Sequence, residues 1–215
     1  NDGAEVIIWP EAVSSYQNFQ SRTEFADIDI IGGFFVQQDE KIFTSIINTS
    51  TNDRYDKRNL VPFGEFQPFN NLLKNFNEFF NIPNSSLTRG EKLQKKVLIQ
   101  QIPFSGLICW ELSFNDTFVD RTRNTGFIIH ISNDSWYGKN MPAQHLLHAK
   151  ARAIESQKWV VRSTTDGISD IISPYNQKKL SENIPKGIKS FKTETIFTNM
   201  KNTTYLFFGD YPLLI

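Results

Sequence analysis

The chain of 215 residues has a single cysteine, Cys109, so no disulfide can close within it and no zinc site of several cysteines can form. It also lacks a charge surplus, because 23 Lys and Arg balance 23 Asp and Glu. A nucleic-acid binder needs excess basic charge to neutralise phosphates, and so does a polybasic membrane-surface module; neither class is expected. No run approaches the roughly 20 apolar residues of a membrane span. The opening NDGAEVIIWPE lacks the basic start and apolar stretch of a signal peptide and reads as the middle of a domain. The last residues, DYPLLI, form an apolar stub without a cap, so both ends read as cut from a longer chain.

What is present suits a folded domain. Hydrophobic residues make up 39% and charged residues 21%, and the length allows a sizeable core without staples. One domain over 1–215 is expected. Short apolar runs at 5–11, 28–36 and 41–50 read as strands, with Glu11 emerging at the end of the first and the Gly32-Gly33 pair marking a kink or close packing in the second. Residues 56–69, with two prolines and a glycine, read as a loop, and 71–82 have helical spacing. A strand to about Gln101 is followed by the apolar push GLIC, which stops at Cys109. A helix over 116–126, a buried strand from 127 and the strongest helix, 142–157 with Pro142 near its start, come next. Strands are then expected over 158–167 and 169–178, and late strands in TETIFTNM and TTYLFFGDY. Strands alternating with helices predict an α/β fold.

Sites in such folds form outside the carboxyl ends of strands, and Glu11, Lys57 and Cys109 sit there or on a loop. Singly, a cysteine is an inert small hydrophobe, a glutamate after a strand a solvated turn residue, and a lysine in YDKRN a surface charge. Jointly they make a working set. A thiol of pKa about 8.5 needs a base, which a carboxylate raised by burial can be; attack on a carbonyl creates an oxyanion, which a fixed ammonium can hold. Base, cation and nucleophile together predict acyl transfer without histidine. His145 and His148, three apart on one helix face, have no HExxH or carboxylate set to complete a metal site and read as a packed or solvated face. The aromatics Phe66, Phe69, Phe76, Phe79 and Phe80 read either as core or as a lid that touches an acyl chain.

The ordered segments WPE (9–11), YDKRNLVPFGE (55–65) and ICWE (108–111) resemble the nitrilase, or carbon–nitrogen hydrolase, superfamily. With FQPF, ISNDSWYG (131–138), QHLLHAKARAIE (144–155) and VVRSTTDGISDIISP (160–174), they are similar to its apolipoprotein N-acyltransferase branch. The branch's ICYE is ICWE here, which keeps an aromatic. The resemblance implies an α-β-β-α sandwich, here without the first strand and helix that precede the WPE strand, and without the branch's membrane helices on either side. It implies Glu11 as general base, Lys57 as the oxyanion-holding cation and Cys109 as the nucleophile that becomes a thioester. Glu65 matches a further essential glutamate that positions Lys57 or the incoming amine, Glu111 a supporting acid, and Trp110 supplies a backbone N–H as second oxyanion donor. The implied activity moves a fatty acyl group from phospholipid to the N-terminal amine of a diacylglyceryl-cysteine lipoprotein, with no cofactor or metal and no nucleic-acid partner. It would run at the periplasmic face of a bacterial inner membrane, reached by segments outside this chain. A soluble nitrilase-type amidase and a catalytically silent fragment remain alternatives.

Overall fold

The structure, a computed structural model, describes residues 3–20, 29–66, 87–136, 138–175 and 182–211. Ile30–Gln38 (β3) and Lys41–Asn48 (β4) fold back on each other across the two-residue turn Asp39–Glu40, pairing from Gln38 with Lys41 to Ile31 with Asn48. Asp39 takes the left-handed backbone that so tight a hairpin requires, φ 54°. Arg54–Asp56 (β5) joins β4 antiparallel. On the other side of β3 lie Ile7–Ile8 (β1) and Ser14–Ser15 (β2), both parallel to it. These are two pieces of one edge. Between them Pro10 has no N–H to give the ladder, Ala12 turns left-handed at φ 56°, and pairing resumes where Val13 donates to the Gly33 carbonyl at 3.0 Å. The expected strand over 5–11 is therefore regular only at Ile7–Ile8, and the bulge after it is what turns Glu11 out of the ladder.

The second sheet has the order β10-β9-β8-β7-β6. Its strands are Val97–Ile99 (β6), Ile102–Ile108 (β7), Phe127–Asn133 (β8), Val160–Thr165 (β9) and Asp170–Ile172 (β10). β7, β8 and β9 run parallel, with helix Asn115–Thr122 (α2) and helix Met141–Ser156 (α3) as their crossovers. Being central and covered on both faces, β8 is buried throughout FIIHIS, apolar but for His130 and Ser132.

Core side chains set the layers. Ile31, Ile46 and Tyr55 of the first sheet meet Phe104, Ile108, Ile129 and Ile131 of the second. Beyond the second sheet, Phe118 of α2, Leu146 and Ala153 of α3 and Leu206 of helix Thr204–Phe208 (α4) cover Leu107, Ile128 and Val160. Beyond the first, Phe19 of helix Tyr16–Gln20 (α1) packs on Ile30, Phe34 and Ile47. No helix among the described residues is long and apolar enough to cross a membrane.

Four expectations change. Gln100 and Gln101, at φ 48° and 68°, form a hairpin turn between β6 and β7, so the strand expected to reach Gln101 ends at Ile99. α2 ends at Thr122 rather than near Gly126, because Asn124 is already left-handed at φ 57°. Residues 193–200 form no strand; they are a strap that donates from the Asn199 N–H to the Gly126 carbonyl and is tied down by the Lys158 ammonium on the carbonyls of Asn199 and Lys201. TTYLFFG is helical instead of extended, capped by the Thr203 hydroxyl on the Leu206 N–H and stopped at Gly209. The helix expected over 71–82, with Phe69, Phe76, Phe79 and Phe80, lies outside the described residues.

Gly33 holds the closest approach between layers. A Cβ there would fall 2.6 Å from the Ile131 Cδ1 and 2.6 Å from the Glu11 Cα. Gly33→Ala should therefore overpack the junction and destabilise the fold by roughly 1–3 kcal/mol, read as a lower urea midpoint at unchanged slope.

Candidate active site

The bulge between β1 and β2 delivers Glu11, whose side chain is buried. The backbone N–H of Lys57 donates to the Thr44 carbonyl at 2.8 Å, which carries the β4–β5 pairing one residue beyond β5. The Lys57 side chain is fully buried, and its Nζ donates to Glu11 Oε1 at 3.0 Å and to Glu65 Oε1 at 2.5 Å. Each carboxylate has a second anchor on backbone. Glu11 Oε2 accepts from the Asn133 N–H at 2.8 Å, and Glu65 Oε2 accepts from the Val61 N–H at 2.8 Å.

Burial pulls the Lys57 ammonium toward its neutral form, but Glu11, Cys109 and Glu65 together outweigh it and hold the group charged, well above its ordinary value. Burial pushes the Glu11 carboxyl up, opposed by Lys57 and assisted by Glu65, and the net direction is upward. A buried carboxylate held this way is closer to the range in which it can accept a proton from a thiol.

Cys109 ends β7 and begins the 3-10 turn Cys109–Ser113. Its backbone is left-handed at φ 55°, a strained state for a side chain with a Cβ, and its sulfur side is buried. It lies close enough to Lys57 to act on the ammonium electrostatically, so the structure brings Glu11, Lys57, Glu65 and Cys109 into one neighbourhood. Glu111 fastens that neighbourhood from beneath. Its Oε1 accepts from the Tyr55 hydroxyl at 2.9 Å and the N–H groups of Arg58 at 2.6 Å and Asn59 at 3.1 Å, while its Oε2 accepts from the Ile108 N–H at 3.0 Å. Burial raises its carboxyl, against the pull of those backbone donors and Lys57. Trp110 adds a second tie, its indole N–H donating to the Asn59 carbonyl at 2.6 Å.

Sequence reasoning missed the residues behind β8. Asn133 holds Glu11 through a backbone N–H, which carries no side-chain signature. Asp134, His130, Arg162 and His145 form a buried polar chain next to it. The signal available was the polar NDSW turn directly after an apolar strand. His145 donates to Asp134 at 2.9 Å and His148 shares a hydrogen bond with the Ser113 hydroxyl. Among the described residues no group of three His, Cys, Asp or Glu is placed to hold a metal ion.

The profile of the carbon-nitrogen hydrolase family matches residues 1–178. An apolipoprotein N-acyltransferase from Vibrio vulnificus is 31% identical over 237 aligned residues, covering 100% of this chain and 46% of the relative. The chain thus spans about half the length of the curated relatives it matches. Among solved structures, a glutamine-dependent NAD+ synthetase from Acinetobacter baumannii superposes with TM-score 0.62 at 15% identity, over 94% of this chain and 42% of that one. A CN-hydrolase superfamily protein from Xanthomonas campestris, with an arsenic adduct in its active site, superposes with TM-score 0.56 at 14% identity, over 99% and 84%. These structural likenesses concern the mixed α/β fold.

Glu111→Gln keeps the shape but replaces one carboxylate oxygen by an amide NH2, which cannot accept; with the remaining oxygen on Tyr55, Arg58 and Asn59, that NH2 faces the Ile108 N–H. It should lower stability by roughly 1–3 kcal/mol, measured by urea unfolding, and leave a backbone N–H unpaired.

Proposed function

Because the chain belongs to the carbon-nitrogen hydrolase family, we propose that it is the thiol-acylating part of an apolipoprotein N-acyltransferase. The observation that carries this reading is the buried Lys57 ammonium held between Glu11 and Glu65 beside the sole cysteine, in a chain similar along its whole length to such acyltransferases. The finer fold reading, a nitrilase-like α-β-β-α sandwich as a single domain, belongs to the same proposal.

In this mechanism Glu11 takes the thiol proton and the Cys109 sulfur attacks an ester carbonyl of a phospholipid. Lys57 and the Trp110 backbone N–H stabilise the oxyanion. The carbonyl re-forms, the C–O bond breaks, and the departing lysophospholipid oxygen takes the proton back from Glu11. An acyl thioester remains on Cys109. The amine of a diacylglyceryl-cysteine then attacks that carbonyl and Glu11 removes its proton; the C–S bond breaks, an amide is formed, and the departing Cys109 sulfur takes that proton back from Glu11. Glu65 holds Lys57 against Glu11, and Glu111 holds the cysteine turn. No step uses a cofactor or metal.

Both proposed partners are lipids, and the likeness to apolipoprotein N-acyltransferases supports placing the reaction at the extracytoplasmic face of a bacterial inner membrane. Two large exposed aromatics support a lipid substrate. Phe63, 75% exposed with left-handed backbone at φ 62°, lies two residues from Glu65, and Trp136, 77% exposed, lies three residues from Asn133.

Incubating the chain with phospholipid micelles should add one fatty-acyl mass to intact protein, and Cys109→Ala should remove the gain. Added diacylglyceryl-cysteine peptide should discharge the thioester to an amide faster than water does; discharge at the water rate with or without peptide would indicate a hydrolase of the amidase kind. Absence of any adduct on well-folded protein would overturn the reading.

The pH dependence follows from Glu11. Its deprotonated form is the working one and its pKa lies above the 4.5 of an ordinary glutamate, so acylation should fall as pH drops through that raised value. In Glu11→Gln that limb should vanish and the remaining rate should be at least about 100-fold lower, followed by stopped acylation across pH.

A further inference from the structure

Behind the cysteine turn lies a buried polar chain that the reaction does not use directly. His130 of β8 pairs in register with Leu107 of β7 on one side and Arg162 of β9 on the other. Its Nε2 lies 2.8 Å from the backbone carbonyl of Cys109. Its Nδ1 lies 2.6 Å from Arg162 Nη1. The same guanidinium donates through Nη2 to Asp134 Oδ2 at 2.8 Å and through Nε to the Ile168 carbonyl at 3.0 Å. Asp134 Oδ1 accepts from the Ser132 hydroxyl at 2.6 Å and from His145 at 2.9 Å. Gly167 makes room for this carboxylate, since a Cβ there would collide with Asp134 Oδ2. Asp134 directly follows Asn133, the residue whose N–H holds Glu11.

The donor inventory fixes the proton. A guanidinium has no acceptor, so Arg162 must donate and His130 Nδ1 must offer a lone pair. The single ring proton is then on Nε2, where it donates to the Cys109 carbonyl. We propose that His130, as the neutral Nε2–H tautomer, is a positioning residue that fixes the strained Cys109 backbone and, through Arg162 and Asp134, couples the turn that carries the nucleophile to the turn that holds Glu11. This rests on the proposed function for Cys109 and Glu11 and adds the element that keeps them in register. The groups facing the ring agree with neutrality. Burial, the Arg162 guanidinium and the His145 ring, 6.4 Å away and edge-on, oppose a second proton and outweigh the Cys109 carbonyl and Asp134, which favour one. The strain explains the need. A left-handed cysteine tends to relax by rotating its peptide, and the carbonyl that would swing is the one His130 holds.

Nitrogen-detected NMR of the chain, with the His130 ring assigned by its loss in His130→Gln, should give a pyridine-type Nδ1 and a pyrrole-type Nε2, unchanged from about pH 8 to about pH 5. In parallel, alkylation of Cys109 by iodoacetamide should slow about tenfold in His130→Leu, with a displaced midpoint in its rate–pH curve. His130→Gln, whose amide can donate to the same carbonyl, should recover most of the rate. A purely structural histidine would change the unfolding midpoint and leave the rate–pH midpoint of folded protein in place. An Nδ1–H tautomer, an imidazolium in that pH range, or a folded His130→Leu alkylated at the wild-type rate would overturn the proposal. Should His130→Leu not fold, the ring tautomer and the His130→Gln rate decide. Wild-type Cys109 reacting no faster than a free thiol would count against the proposed function, and the tautomer would still be judged by the ring shifts.

Discussion

The Glu111 carboxylate is the joint on which the site depends. Four donors converge on it from two segments far apart in the chain: Tyr55, Arg58 and Asn59 around the lysine, and Ile108 at the edge of the cysteine turn. Three of the four are backbone N–H groups, so the carboxylate fixes main chain rather than mobile side chains. A fully buried carboxylate is tolerable only when its lone pairs are filled, and hydrogen bonds to a charged acceptor are worth about 1.5–3 kcal/mol each where a neutral one contributes about 1. The end of β5 and the end of β7 are thereby held as one piece, although each belongs to a different sheet. Arg121, stacked with its guanidinium 4.1 Å from the Tyr55 ring centroid, braces the fourth donor.

Above that joint the charges are arranged so that a proton can move at little electrostatic expense. One ammonium lies between two carboxylates beside a thiol, with Lys57 wholly enclosed. In the proposed mechanism, transfer of the thiol proton to Glu11 would exchange one buried anion for another and leave the net charge of the cluster as it was. Burying a new charge is costly, but relocating an existing one across a fixed cation is much less so. The upward displacement of Glu11 and of Lys57 thus work in the same direction: the acid accepts more readily while the cation stays charged throughout.

Much of this was legible in the sequence where chemistry and local pattern coincide. WPE, YDKRN and ICWE carry the Glu11, Lys57 and Cys109 side chains that the proposed mechanism uses as base, cation and nucleophile, and the apolar runs at 28–36, 41–50 and 127–133 correspond to β3, β4 and β8. What stayed hidden depends on backbone. Gln100 and Gln101 turn left-handed without the glycine or asparagine that usually announces such a turn. TTYLFFG is rich in aromatic and β-branched residues and so looks extended, yet Leu206 finds full burial against α2 and α3 and the cap on Thr203 starts a helix. Asn133 acts through its amide alone. His130 and Arg162 sit inside strands, where a buried polar residue has meaning only once its cross-strand neighbour is known.

The division of labour between the two sheets bears on how the polypeptide is made. Glu11, Lys57 and Glu65 all precede the sulfur in the chain, the last of them at residue 65, whereas the sulfur enters with residue 109. Synthesised from the amino end, the nascent chain exposes its acid and its cation first and acquires a reactive atom only when the second half emerges. A ribosome-stalled or proteolytically severed product would therefore hold no assembled set of base, cation and sulfur on either side of the break, and its thiol would react only as an ordinary one until the halves reunite.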